Sequence, residues 1–294
     1  MRVVVTGAAG FLGRHVARRL RHDGWDVVGL DIQEFSEPGI ETVVGDMCDP
    51  ETAADVTAGA GVIAHVGAIG DVYLATSNPT LAAQVNVVGT SNLIDAALEN
   101  EARIVYASTW EVYGEPRYEP LDESHPTMPD HPYSITKLAG ESLLLAATRI
   151  NGLGAIALRL GTAYGSGLRP NSVFQVFLDK ARRGEPILIQ GDGNQSRQFT
   201  HASDIARAFA LAAESTVSGI ALNVVAPETV SIKELAEAVI SRFPTEVSFG
   251  PPRPGDVPAA QVSPALAAEV LGWSAEVSFE EGLEEFIADA VESR

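Results

Sequence analysis

The run Tyr133-Ser134-Ile135-Thr136-Lys137 sets a phenol and an ammonium four residues apart. On a helix that spacing puts both side chains on one face. The run opens an Ala/Leu-rich stretch that reaches about Ile150 with helical periodicity and no internal proline. A cation close to a tyrosine favours the phenolate and lowers its pKa, which makes the ring oxygen a base usable near neutral pH. Such a pair can take a proton from a hydroxyl while a neighbouring acceptor takes the hydride. Tyr-x-x-x-Lys by itself also describes a solvated helix face, so the chemistry depends on a hydride acceptor encoded elsewhere.

The N-terminus encodes a place for one. Met1-Arg2-Val3-Val4-Val5 is a short β-branched strand of the buried type. It runs into Thr6-Gly7-Ala8-Ala9-Gly10-Phe11-Leu12-Gly13 and then a helical stretch through about Arg21. The Gly-x-x-Gly-x-x-Gly spacing gives a tight turn, close backbone approach to a pyrophosphate, and a helix N-terminus aimed at the anion. Gly7, Ala9, Gly10, Phe11, Leu12 and Gly13 are therefore cofactor candidates. The next strand, Trp25 to Leu30, ends at Asp31 and Ile32. The Asp31 carboxylate is placed to accept hydrogen bonds from an adenosine ribose, and it would repel a 2′-phosphate. No arginine follows in Ile32-Gln33-Glu34, which favours NAD over NADP.

With these residues the chain resembles the extended short-chain dehydrogenase/reductases, in the nucleotide-sugar epimerase/dehydratase group, over nearly its whole length. The resemblance implies an α/β fold, a Rossmann-type doubly wound parallel sheet with a smaller C-terminal α/β substrate lobe. The expected division is an NAD-binding part over 1–161, with returns near 202–225, and an interleaved substrate lobe over 162–294.

Composition agrees. A chain of 294 residues, 46% hydrophobic with mean hydropathy +0.09, can bury one large core or a core plus a lobe. No apolar run is long enough to span a membrane. Met1 leads directly into the first strand, so no signal or transit peptide is expected and the location expected is cytoplasmic. One cysteine, Cys48, excludes an internal disulfide and a cysteine-rich metal site, and the histidines show no metal-binding spacing. A net charge of −19 argues against nucleic acid or an anionic membrane as partner. An anionic nucleotide sugar would then need local arginines.

Taken in order, Glu41 to Val44 is the third strand, and the resemblance makes Asp46 and Met47 the residues that cap the adenine. Asp46 could equally be a helix N-cap before Pro50. Gly61 to Val66 is the fourth strand, and Val66, Gly67 and Ala68 resemble the small-residue segment that runs along the cofactor. His65 reads as a buried, hydrogen-bonded histidine. Pro79 to Glu99 reads as one long amphipathic helix containing Asn86, whose amide needs partners. In the family the equivalent asparagine bridges the active-site backbone.

Arg103 to Ala107 is the fifth strand, and it delivers Ser108-Thr109-Trp110-Glu111-Val112-Tyr113-Gly114. By resemblance Thr109 steadies the sugar oxygen as it becomes a carbonyl, with Ala107 and Ser108 beside the cofactor and Ser108 counted with the catalytic group. The 4,6-dehydratases carry Asp-Glu after that threonine, an acid and a base for removing water. This chain has Trp110-Glu111. The missing aspartate speaks against dehydration, and Glu111 keeps a base that decarboxylase-like members share, unless it is a solvated loop carboxylate. Trp110 is expected to wall the sugar pocket. Glu115 to His131 reads as a surface loop rich in proline and acid.

Gly154 to Leu160 is the sixth strand. Thr162 stands where the family usually has an asparagine that contacts the substrate diphosphate, and Arg169 sits on the loop Gly165 to Asn171. A helix over Ser172 to Arg183 and a strand over Pro186 to Gln190 follow. The segment Gly191 to His201 resembles one in which an arginine grips the diphosphate, here Arg197. Ala202 begins a helix capped by Ser203 or Asp204 that returns to the cofactor half. Ala221 to Val225 is a strand, and Ser231 to Phe243 is a helix with a Ser231/Glu234 capping box. Arg253 in Arg253-Pro254-Gly255-Asp256 is the second expected diphosphate ligand. The close of the chain, from Leu271-Gly272-Trp273 to a helix from about Phe279, reads as packing.

The resemblance implies an NAD-dependent nucleotide-sugar 4-epimerase, acting on a UDP-hexose or UDP-uronate through a transient 4-keto sugar. Tyr133 would be the base, with Lys137 tuning it and holding the nicotinamide ribose. The alternatives are a UDP-uronate decarboxylase using Glu111, another enzyme forming a 4-keto sugar, and a silent NAD-binding regulator. A homodimer built on the Pro79–Glu99 and Tyr133–Ile150 helices is also implied, although the sequence allows those helices to be internal.

Overall fold

A parallel sheet buried on both faces needs continuous apolar strands, and the chain supplies them between helices. The computed structural model describes residues 1–251 and 260–292. Strands β1 (Arg2–Thr6), β2 (Asp26–Asp31), β3 (Glu41–Val44), β4 (Val62–His65), β5 (Arg103–Thr109) and β6 (Ala155–Leu160) form the sheet with one later strand. Val3, Val4 and Val5 of β1 are fully buried. Helix α1 (Phe11–His22) lies on one face. On the other lie α2 (Pro50–Thr57), α3 (Val72–Ser77), α4 (Pro79–Ala83), α5 (Thr90–Glu99) and α6 (Pro132–Asn151).

After β6 the chain leaves the sheet. Strands β7 (Thr162–Tyr164), β8 (Ile187–Gln190), β9 (Ser196–Arg197) and β10 (Phe199–His201) and helix α7 (Val173–Arg182) start the smaller lobe. Helix α8 (Ala202–Glu214) then returns to pack on α1, and β11 (Ile220–Val224) pairs with β6. The finished sheet is all parallel in the order β11-β6-β5-β4-β1-β2-β3. The lobe is completed by β12 (Val230–Ser231), α9 (Ile232–Arg242) and β13 (Val247–Gly250), before α10 (Ala265–Leu271) and α11 (Phe279–Glu292) close the chain. The lobe has its own core around Tyr164, Phe174, Phe199, Leu235 and Phe286.

Several local expectations need correction. The helix expected over Pro79 to Glu99 is α4 and α5 joined by a π-helical turn, Gln84–Gly89, in which each N–H reaches one carbonyl further back. A short helix, α3, precedes it, capped by Asp71, which accepts from the Tyr73 and Leu74 N–H groups. The cap before Pro50 is Asp49, directly ahead of the proline at N1. Its carboxylate accepts from Glu51 and Thr52, while Asp46 accepts from the Cys48 N–H at 2.8 Å in a turn. At α8 neither Ser203 nor Asp204 is the cap. Ser203 bonds the His201 ring, and Asp204 faces inward to accept from the Glu276 and Val277 N–H groups, both at 3.0 Å. The Ser231/Glu234 capping box is present as expected.

Candidate active site

The glycine turn is shaped by close backbone contact. Gly7 leaves β1 at φ +69°, and a Cβ there would lie 2.6 Å from the Gly67 Cα. A Cβ on Gly13 would lie 2.7 Å from the Gly7 carbonyl carbon and closer still to its oxygen. The ends of β1 and β4 therefore touch, with α1 starting directly beneath them. Gly10 is the N-cap of α1 and offers no side chain to the first N–H groups. Uncapped donors at a helix N-terminus are ready for an anion. Asp31 closes the turn from β2, accepting from the Ala9 N–H and the Gln33 N–H at 3.0 Å each. Met47 is buried with its sulfur against Gly67, while Ile32 projects into solvent. Phe11 packs edge-on to His15, and Leu12, Val66 and Ala107 pack into the core of the α1 face; Ala68 is half-buried in the loop after Gly67. These residues form a cradle that fits a dinucleotide.

A chain of hydrogen bonds runs from this cradle to α6. The Gly67 N–H donates to Thr6 Oγ1 at 3.0 Å, and Thr6 Oγ1 bonds His65 Nδ1 at 2.8 Å. His65 Nε2 bonds Thr90 Oγ1 at 2.9 Å, and the Thr90 hydroxyl donates to the Asn86 carbonyl at 2.7 Å. Because Thr90 spends its one hydrogen on Asn86, His65 must donate from Nε2 and accept at Nδ1. Burial, followed by the nearby Lys137 charge, pushes the His65 pKa down to about 3. Asn86 sits in the π turn. Its Oδ1 accepts from the Ile69 N–H at 2.7 Å, and its Nδ2 donates to the Ile69 carbonyl at 3.2 Å and to Thr136 Oγ1 at 3.0 Å. It thus ties the loop after β4 to the residue beside Lys137.

The end of β5 meets the start of α6 at Tyr133. The Thr109 hydroxyl lies close enough to the Tyr133 phenol to favour the phenolate. Thr109 is buried, and its Oγ1 accepts from the Glu111 N–H at 3.2 Å, capping the short 3-10 turn Trp110–Tyr113. The buried Lys137 ammonium lies 4.1 Å from the Tyr106 ring centroid. Electrostatics depart from expectation here. Burial and then the Glu111 charge raise the Tyr133 pKa above the usual phenol value, outweighing the Thr109 hydroxyl and the Arg169 charge. Burial pulls Lys137 down to about 7, opposed by Glu141. A poorly hydrated site favours the neutral form of both groups, and the ammonium faces the Tyr106 ring.

Ser108 has a partner inside the protein: its hydroxyl donates to Glu141 Oε2 at 2.5 Å. Glu141 pairs with Arg159 at 2.6 Å, Arg159 Nη1 donates to the Tyr113 hydroxyl at 2.9 Å, and that hydroxyl donates to Asn223 Oδ1 at 2.7 Å. This buried network fixes the 3-10 turn to β6 and β11. The sequence carries its signal: Glu141 lies four residues after Lys137, and Arg159 interrupts an apolar strand, where a charge requires a partner.

Glu111 is not a free loop carboxylate. It accepts from His131 Nε2 at 2.9 Å, and the two side chains are only 25% and 18% exposed. His131 is the N-cap of α6, its Nδ1 accepting from the Ser134 N–H at 3.3 Å. Its ring stacks on Tyr133 with centroids 6.0 Å apart and planes 8° apart. The bond to Glu111 raises the His131 pKa despite burial. His131 went unremarked in the sequence, and its position before a proline at N1 is the one signal it carries.

Trp110, Gly161, Ser196, Arg197, Gln198 and Val262 line one cavity. Thr162 follows that glycine, its N–H donating to the Gln198 carbonyl at 3.2 Å. Arg169 stands apart, its Nη1 on the Asp71 carboxylate at 3.0 Å, with its charge felt at Tyr133. Arg253 lies outside the described residues.

A family model described as the NAD dependent epimerase/dehydratase family matches residues 3–225. The UDP-glucose 4-epimerase of Mycolicibacterium smegmatis is 33% identical over 302 residues, covering 96% of both chains. The dTDP-glucose 4,6-dehydratase of Streptomyces niveus is 30% identical over 308 residues, covering 98% of this chain and 92% of that one. The crystal structure of Thermotoga maritima UDP-glucose 4-epimerase with UDP-glucose superposes with a TM-score of 0.95 at 27% identity, covering 100% of this chain and 99% of that one. Both the glycine cradle and the Thr109–Tyr133–Lys137 site thus lie within the matched span, and the chain belongs to the NAD-dependent epimerase/dehydratase family of extended short-chain dehydrogenases/reductases.

Proposed function

We propose that the protein is a nucleotide-sugar 4-epimerase acting on a UDP-hexose or UDP-uronate through a transient 4-keto sugar. The observation that carries this reading is the Thr109–Tyr133 hydroxyl pair, with Lys137 one turn along α6 and Trp110 where a dehydratase keeps its acid. Tyr133 takes the proton of the C4 hydroxyl, and the Thr109 hydroxyl holds that oxygen as it becomes a carbonyl. Since burial and Glu111 hold the phenol proton on, its release needs positive charge nearby, and Lys137 and Arg169 are this chain's sources. The turn Gly7 to Gly13, with Asp31 at the adenosine ribose, would hold NAD, which would supply the hydride acceptor and donor for the inversion. Asp46, Met47 and Ile32 border the adenine. Trp110 walls the sugar pocket, and Arg197, Thr162 and Arg169 serve the diphosphate.

The test incubates UDP-glucose and UDP-glucuronate with pure protein, without added NAD, and follows products by chromatography and mass spectrometry. A new peak of unchanged mass, lost in Tyr133→Phe, is expected. A product lighter by carbon dioxide would move the assignment to decarboxylation through Glu111. No conversion of either sugar, or full turnover by Tyr133→Phe, would sink the proposal.

We also infer a homodimer. Leu81, Val88, Ile135 and Leu143 are exposed on the Pro79–Glu99 and α6 helices, which pack side by side, and large exposed apolar groups on adjoining elements mark an interface. Light scattering on the eluting protein should give twice the chain mass, and a monomer at micromolar concentration would refute it.

A further inference from the structure

Glu111 stands beside the reacting phenol, close enough for its charge to raise the Tyr133 pKa, and a carboxylate is a competent base. On the 4-keto reading above, on which this inference rests, that position carries a hazard. A ketone acidifies the C–H bonds on the carbons next to it. A carboxylate free to reach one would take the proton, the C–H electrons would pass into an enolate, and a proton from water would later return to carbon. The structure does not leave Glu111 free. His131 Nε2 holds it at 2.9 Å, and His131 is fixed in turn by the Ser134 N–H on Nδ1 and by its stack on Tyr133. The other member of the dehydratase acid–base pair is replaced by Trp110, which is buried.

We propose that His131 is a specificity-determining positioning residue, which restrains Glu111 so that the 4-keto sugar is re-reduced without losing a proton from carbon. The bond from His131 Nε2 at 2.9 Å commits one Glu111 carboxylate oxygen to a direction set by the α6 N-terminus.

The test runs the reaction in deuterium oxide. His131→Asn keeps a side-chain acceptor for the Ser134 N–H, since asparagine is a preferred N-cap, and gives up the reach to Glu111. Wild-type epimer should gain carbon-bound deuterium only slowly relative to turnover. Epimer from His131→Asn should carry a carbon-bound deuteron, formed on the order of tenfold faster than in wild type, below the ~10²-fold that a fully placed base contributes. Adding Glu111→Gln should return incorporation to the wild-type level. His131→Ser, which also caps, reads the same quantity if the asparagine variant folds poorly. The proposal is overturned if either variant turns over without excess deuterium, if the excess survives Glu111→Gln, or if wild-type exchange is already as fast. Absence of any epimer from the wild-type protein would instead remove the 4-keto reading beneath it.

Discussion

Gly13→Ala and Gly10→Ala add the same methyl group to the same turn, and the structure expects them to differ widely. At position 13 the new carbon would lie 2.7 Å from the Gly7 carbonyl carbon and 3.0 Å from the Ala8 Cα. Relaxed carbon contacts need roughly 3.5 Å, and the Gly7 oxygen lies closer still than its carbon, so α1 must back away from β1 by at least about 0.8 Å. It cannot do so freely, because Val16, Ala17 and Leu20 on the same helix are fully buried in the core that α8 completes. Gly7 cannot yield either, held at φ +69° against Gly67. The expected loss is about 3 kcal/mol, the upper end of ordinary overpacking. At position 10 the only near atom is the Gly7 carbonyl oxygen at 3.1 Å, and φ is −73°. That deficit is about 0.2 Å, and the reduced freedom of the unfolded chain offsets it, leaving a change under about 1 kcal/mol. Urea unfolding followed by circular dichroism reads both. Equal midpoints for the two variants, or a Gly13→Ala protein as stable as wild type, would refute the reasoning.

Three further outcomes follow from the buried charges. His65 has a folded pKa near 3 against about 6.5 when unfolded, so the unfolded chain takes the proton first and stability is lost as pH falls below 6.5. By pH 5 the loss is about 2 kcal/mol, and a His65→Gln variant showing the same acid dependence in urea titrations would contradict it. Lys137 has a folded pKa near 7 against about 10.5, so stability from this group rises between pH 7 and about 10; Lys137→Met should melt higher than wild type at pH 7 while losing turnover. A lower melting temperature would count against that assignment. Glu141→Leu should cost about 3–5 kcal/mol by stranding Arg159, and adding Arg159→Met should recover part of it; an additive double variant in denaturant unfolding would rule out the coupling.

Most of the sheet and the glycine turn were legible in the sequence because they depend on local pattern. β-branched runs, helical periodicity and the Tyr133 to Lys137 spacing each announce themselves within a dozen residues. The strands of the small lobe that pair over two or three residues, such as β9 with β12, carry too little pattern to read. The electrostatics were hidden for a different reason. Lys137 was expected to lower the Tyr133 pKa from its spacing, but the outcome depends on burial and on Glu111, whose position is fixed by His131 twenty residues along the chain. The partner of Ser108 is hidden in the same way, since Glu141 is brought to it only when α6 packs on β5. The π turn at Asn86 leaves no mark in a periodicity that reads as one continuous helix.

The late arrival of β11 has a consequence for how this chain can be divided. The matched family span ends at residue 225, one residue past that strand, and not at the exit from β6. A fragment stopped after Leu160 would leave the backbone of β6 bare along the edge where β11 bonds it, and strip from α1 the cover that Phe209 and its neighbours provide. Bare parallel edges of that kind recruit other chains. A split version of the protein would reassemble only if the second piece brought residues 202–224 with it, and circular permutants, which keep both strands, should tolerate new ends in the small lobe better than new ends within β6 or β11.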